Sequence, residues 1–177
     1  MDAADRALDA AEQLFYARGV HAVGMDDIRD TAGVSLKRLY QLFPNKHALL
    51  RGMLERRDVR WRRRLADHVD THREPLDRLL AVFDWLHEWF SEPGFRGCAW
   101  INTFGELGAP VADLARAHTA AFADYRATLV RAAGRPPALA DQLLLLAEGA
   151  MTTAAITGSA APARAARDAA SILSTVD

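Results

Sequence analysis

Apolar residues recur at intervals of three and four along almost the whole chain, and no segment alternates with the period of two that a half-buried strand requires. That pattern leaves an all-α fold as the architecture able to bury those residues. The first stripe, Ala4, Leu8, Ala11 and Phe15, predicts a helix that ends at Gly19. A second, short helix over Met25–Ala32 puts Met25, Ile28 and Ala32 on one face. Asp26 and Asp27 fall in its first turn, where the helix dipole favours negative charge. Gly33 supplies a sharp turn, and Ser35 is a good N-cap for a third helix over Leu36–Leu42. Pro44 breaks the chain before a longer helix that runs from about Asn45 into the late 60s.

Beyond the His72–Pro75 loop the pattern restarts with Leu76, Leu79, Leu80, Phe83, Leu86 and Phe90, closed by the loop SEPGFRG. Four further helices are expected, at about Cys98–Leu107, Pro110–Ala133, Pro137–Thr157 and Ala163–Val176. Short Gly- and Pro-containing connections join them, giving about nine helices in all.

Two short helices about a tight turn, from Met25 to Lys46, have the form of a helix-turn-helix. Ile28, Ala32, Val34, Leu39 and Phe43 would be the small core that fixes their angle. Leu36, Lys37, Arg38, Tyr40 and Gln41 are left for the outer face, where the start of the second helix also offers unpaired backbone N–H groups to phosphate. Lys46, opening the fourth helix, is placed for another phosphate contact.

Charge agrees, once it is divided. The chain carries a formal net charge of -1, yet Ser35–Arg64 holds ten Lys or Arg against two acids. A basic block in a neutral protein is one way a nucleic-acid surface escapes the overall isoelectric point, and a solvated helix face is the commoner explanation of such a run. The block alone decides nothing.

In the order Ile28, Ala32-Gly33-Val34-Ser35, Leu39-Tyr40, Phe43 and Lys46, the segment resembles the TetR-type transcriptional repressors. The resemblance is strong over residues 1 to 50 and looser afterwards, where GCAWINTFGEL is similar to the family's sixth helix. It implies a three-helix DNA-binding domain over residues 1–50 and a helical bundle for ligand binding and dimerisation over 51–177. Tyr40 and Lys46 would contact phosphates, while Ser35, Leu36, Lys37, Arg38 and Gln41 would face the groove. Leu39 and Phe43 would be structural. It also implies a homodimer through the last two helices, bound to a palindromic operator on double-stranded DNA and released by a small molecule.

Two departures stand out. Gly24 occupies a position where the family often has a capping Ser or Thr, so that the cap falls to Asp26, Asp27 and backbone. Lys37 and Arg38 replace what are commonly small residues, and Arg38 has the chemistry to read guanine or to hold a phosphate.

In the body, aromatic residues are interleaved with polar ones. Trp89, Trp100, Thr103, Phe104, His118, Phe122 and Met151 are the expected lining of a cavity for a mostly hydrophobic effector. The plain alternative is that they fill the core of a regulator acting through a protein partner. Gly149, Ala150, Ala154, Ala155 and Gly158 in the penultimate helix would allow close helix approach between subunits.

Other classes of function find little support. Cys98 is the only thiol, which rules out an internal disulfide and fits a reducing compartment. A Cys98-dependent enzyme is the weakest alternative, because no nucleophile elbow, phosphate loop or HExxH pattern accompanies the thiol. His68 and His72 have metal-binding spacing but sit in a stretch so polar that it reads as a solvated helix end. No metal or cofactor is expected. Acids interrupt any leader-like pattern near the N-terminus, and the uncharged stretch Gly149–Ala163 is too short and broken to span a bilayer. A cytoplasmic protein with no membrane partner is the expectation.

Overall fold

A computed structural model describes residues 2–175. Among them every regular element is helical: α1 (Ala3–Arg18), α2 (Met25–Ala32), α3 (Leu36–Leu42), α4 (Lys46–Val69), α5 (Pro75–Phe90), α6 (Ala99–Leu107), α7 (Ala112–Ala132), α8 (Ala138–Thr157) and α9 (Ala161–Thr175). The all-α fold expected from periodicity is the one found.

The ends of these helices follow local chemistry. Asp2 and Asp5 form a reciprocal capping box at the start of α1, the Asp5 N–H donating to the Asp2 carboxylate at 2.8 Å. Gly33 adopts the left-handed conformation (φ 61°, ψ 41°) that closes α2, a region where a side chain would be strained. The Ser35 hydroxyl then accepts the Arg38 N–H at 3.1 Å, capping α3 as its residue type predicts.

Three boundaries differ from the sequence reading. Pro75 is itself the first residue of α5, a position that suits a residue with no N–H to pair. The expected helix from Pro110 opens instead as a 3-10 turn, Ala109–Val111, because Gly108 turns the chain at φ 65° and α7 starts only at Ala112. Pro162 falls in the first turn of α9, so that helix begins at Ala161 and not after the proline.

The chain divides into two compact units. One runs to Val59 and takes in Ala99–Arg116; the other comprises Arg60–Cys98 and the chain from Ala117. In the first, where α1 packs on α2 and α3, Ala7, Ala11 and Phe15 of α1 are buried, as are Ile28, Leu39 and Leu49. Phe43 is only half-buried and lies against Gly52, where an added Cβ would stand 3.4 Å from its ring. In the second, α9 packs closely on both α5 and α8. Leu79, Phe83 and Leu86 of α5, Leu143 and Ala147 of α8, and Ala163 and Ala170 of α9 are all buried there.

Candidate nucleic-acid interface

The first unit presents α3 as a helix with one buried side and one bare one. Leu39 is fully buried beneath it, with Ile28 and Ala32 of α2. Ser35, Lys37, Arg38, Tyr40 and Gln41 are exposed, and Leu36 is half-buried. Tyr40 is 46% exposed, unusual for so large a ring, and this leaves its hydroxyl in reach of a partner.

Lys46 is less simple. Its ammonium donates to the carbonyls of Val20 and Val23 at 2.9 and 3.0 Å, tying α4 to the turn between α1 and α2. An ammonium has three N–H groups, so one remains for a phosphate. The same turn is held from its other side by Glu106 at the end of α6. The Glu106 carboxylate accepts the Val20 N–H at 2.8 Å and the His21 N–H at 2.5 Å. Arg18 completes the enclosure, donating to the Ala22 carbonyl at 3.1 Å and pairing with Asp27 at 3.4 Å. Asp27 in turn accepts the Gly24 N–H at 2.8 Å, the half of a capping box that needs no side chain at Gly24. That hydrogen bond is the main reason the Asp27 carboxyl ionises below its ordinary range.

The basic block resolves into two populations. Most of its α4 arginines are bound within the protein. Arg56 pairs with Asp9 at 2.5 Å and Arg57 with Glu12 at 2.6 Å, both across to α1, and Arg57 also lies over the Tyr16 ring at 4.5 Å. Arg51 pairs with Asp113 at 2.8 Å, and Arg64 with Glu92. These cations therefore fasten helices together, and the bare face of α3 carries only Lys37 and Arg38 as its positive charge. Sequence reasoning could not separate the two groups, because Asp9, Glu12, Asp113 and Glu92 are all distant in the chain from the arginines they hold.

The residues expected to line an effector cavity fall in different places. Trp89, His118 and Phe122 meet in the second unit around a ring that was not anticipated, Trp61. Trp85 joins them, its ring centroid 5.0 Å from that of Trp61 and stacked at 5.5 Å on Trp89. Met151 is buried on α8 of the same unit. Trp100 and Thr103 are buried on α6 within the first unit, whereas Phe104 beside them is 48% exposed. Arg126 was also missed. Its guanidinium sits 3.9 Å above the Phe122 ring. The signal was available: His118, Phe122 and Arg126 are spaced by four and share one face of α7.

Cys98 is buried, and no cluster of His, Cys, Asp or Glu suited to a metal occurs among the described residues. By length and composition α8 is apolar enough to cross a bilayer. The uncharged stretch Gly149–Ala163 is not that helix but its second half, the following turn and the start of α9.

Comparisons with known proteins agree with this geometry. Residues 7–53 match the family described as bacterial regulatory proteins, tetR family. An 80-residue segment is 38% identical to the HTH-type transcriptional repressor KstR2 of Mycobacterium tuberculosis, covering 43% of this chain and 38% of that one. A 49-residue segment is 51% identical to the HTH-type transcriptional activator FasR of Mycolicibacterium smegmatis, covering 28% of this chain and 22% of that one. The matches thus span well under half the length of these relatives. A crystal structure of a TetR-family transcriptional regulator from Streptomyces coelicolor superposes over 97% of this chain and 88% of its own, with a TM-score of 0.90 at 27% identity.

Proposed function

Because residues 7–53 match the tetR family and a TetR-family structure superposes over 97% of the chain, we propose that it is a TetR-type transcriptional repressor that binds a palindromic operator as a homodimer and leaves it when a small, mostly hydrophobic effector binds. The observation that carries the DNA-binding part is the face of α3. Lys37, Arg38, Tyr40 and Gln41 stand exposed on a helix whose other side is locked by Leu39 and whose start is capped by Ser35. A side chain free to enter a groove on a helix that cannot rotate is what base recognition needs. Tyr40 and Lys46 take the phosphates on either side, and Ser35 and Leu36 approach the groove floor. DNA as the ligand also places its work in the cytoplasm.

Dimerisation draws support from the second unit. Leu145 and Ile156 of α8 are 70% and 80% exposed, and Ile172 of α9 is 65% exposed. Between α8 and α9 lies an apolar groove of about 700 Å³ edged by Gly149, Ala150, Ala161 and Ala165. Large apolar side chains around a groove of small residues form a self-complementary surface, and two copies would cover each other's. The effector reading draws on Trp89, His118 and Phe122 gathered in one place.

Segments of the chain are similar both to a repressor, KstR2, and to an activator, FasR. Titration of the purified protein into labelled DNA flanking its own gene, at low and raised salt, tests the proposal. Salt-sensitive binding that prefers that DNA over random duplex is expected. Equal affinity for both would overturn it.

A further inference from the structure

Arg126 is only 2% exposed, yet none of its three guanidinium nitrogens meets a hydrogen-bond acceptor among the described residues. Glu148 and Asp141 act on it electrostatically, but neither carboxylate pairs with it. Burial pushes its pKa down to about 10, which still leaves it charged near neutrality. Phe122 offers a cation–π contact at 3.9 Å, which offsets part of the lost hydration and satisfies no N–H.

One ring further on, the Trp61 indole N–H is buried and likewise without an acceptor. The Trp61 and Phe122 centroids are 5.1 Å apart, and Trp85, Trp89 and His118 pack on Trp61 at 5.0, 5.6 and 5.2 Å. A charged donor fork and a neutral donor thus stand beside flat apolar walls, with no acceptor for either among the described residues. Native proteins rarely leave such groups unmatched, and a site that awaits a ligand is one recognised reason.

We propose that Arg126 anchors the carboxylate of a small effector whose apolar or aromatic body packs on the Trp61 cluster. The proposal rests on the effector reading above and adds to it the charge that reading lacks. A planar guanidinium matches a carboxylate with two parallel hydrogen bonds, whereas an uncharged analogue of the same shape leaves the cation unpaired. A cationic ligand would be repelled.

The test uses the full chain and four acids (phenylacetate, 4-phenylbutyrate, indole-3-acetate and decanoate), each beside its own primary amide. Binding is followed by quenching of tryptophan fluorescence and by thermal melting. On the unaltered protein at least one acid is expected to bind about tenfold or more tightly than its amide. In Arg126→Met that preference should vanish, while the ligand-free variant melts higher than the parent because an unmatched buried cation is gone. Arg126→Lys, which keeps the charge and loses the fork, should retain part of the preference. Amides that bind as well as acids would overturn the carboxylate anchor and leave the effector reading standing. So would an acid preference that persists in Arg126→Met. Binding of neither class would overturn both readings together.

Discussion

Glu106 accepts the backbone N–H of Val20 at 2.8 Å, across 86 residues of sequence, and Lys46 donates to the carbonyl of the same residue at 2.9 Å. One peptide segment is gripped by an anion at its N–H and by a cation at its C=O. The turn between α1 and α2, and with it the placement of α2 beneath α3, depends on two side chains from α6 and α4. Replacing Glu106 by Ala should lower stability by roughly 1–3 kcal/mol, the usual loss when hydrogen bonds to a charged group are removed. Glu106→Gln should recover part of it. Thermal melts of the three proteins provide the check.

The bare face of α3 separates specificity from attraction. Arg38→Ala should weaken operator binding by about 1–3 kcal/mol, if it pairs with guanine, and change random-duplex binding much less. Lys37→Ala should lower both together and reduce the salt slope by about 1, as a phosphate contact does. Fluorescence anisotropy at several salt concentrations distinguishes them. A uniform loss in Arg38→Ala would move that residue to the phosphate class.

Dimerisation can be broken from the surface. Ile156 and Leu145 are exposed in the isolated chain, so Ile156→Glu or Leu145→Glu should leave the fold and its melting temperature nearly unchanged. Buried in a symmetric interface, the same carboxylates would be unpaired on both sides. Light scattering should show a monomer, and operator affinity should fall by an order of magnitude or more because one half-site is lost.

Acid should loosen the helix-turn-helix through Asp27. Its folded pKa lies below the ordinary 3.8, chiefly because it accepts the Gly24 N–H. A depressed folded pKa means that its stabilising contribution is complete above the unfolded value and disappears as pH falls through the folded one. Asp27→Asn should therefore melt lower than the parent near neutrality and show a shallower decline below about pH 4. Melting curves across that range decide it.

The parts of this fold that could be read from sequence are those written in neighbouring residues. Gly33, Ser35 and Pro44 punctuate the chain within one turn of the event they cause, and α2 and α3 begin and end where those residues predict. The all-helical character likewise follows from spacing. What could not be read were decisions taken by distant partners. Arg56 and Arg57 look like a nucleic-acid surface until Asp9 and Glu12 are brought against them. Trp61 sits in the run Arg60-Trp61-Arg62-Arg63-Arg64, where nothing local announces that it centres an aromatic cluster. Phe104, expected in the lining of an effector cavity, is 48% exposed, because an apolar helix such as α6 has more apolar positions than its buried face can take.

The face by which α9 packs is made of Ala163, Ala166 and Ala170, with Ser174 at its end. Alanine has no rotamers to freeze, so docking this helix gives up almost no side-chain entropy. The same plainness removes any means of adjustment. A methyl group cannot swing aside for a bulkier neighbour, and backbones this close to α5 and α8 would have to part. The least elaborate surface in the second unit is thus the one with the narrowest tolerance for change.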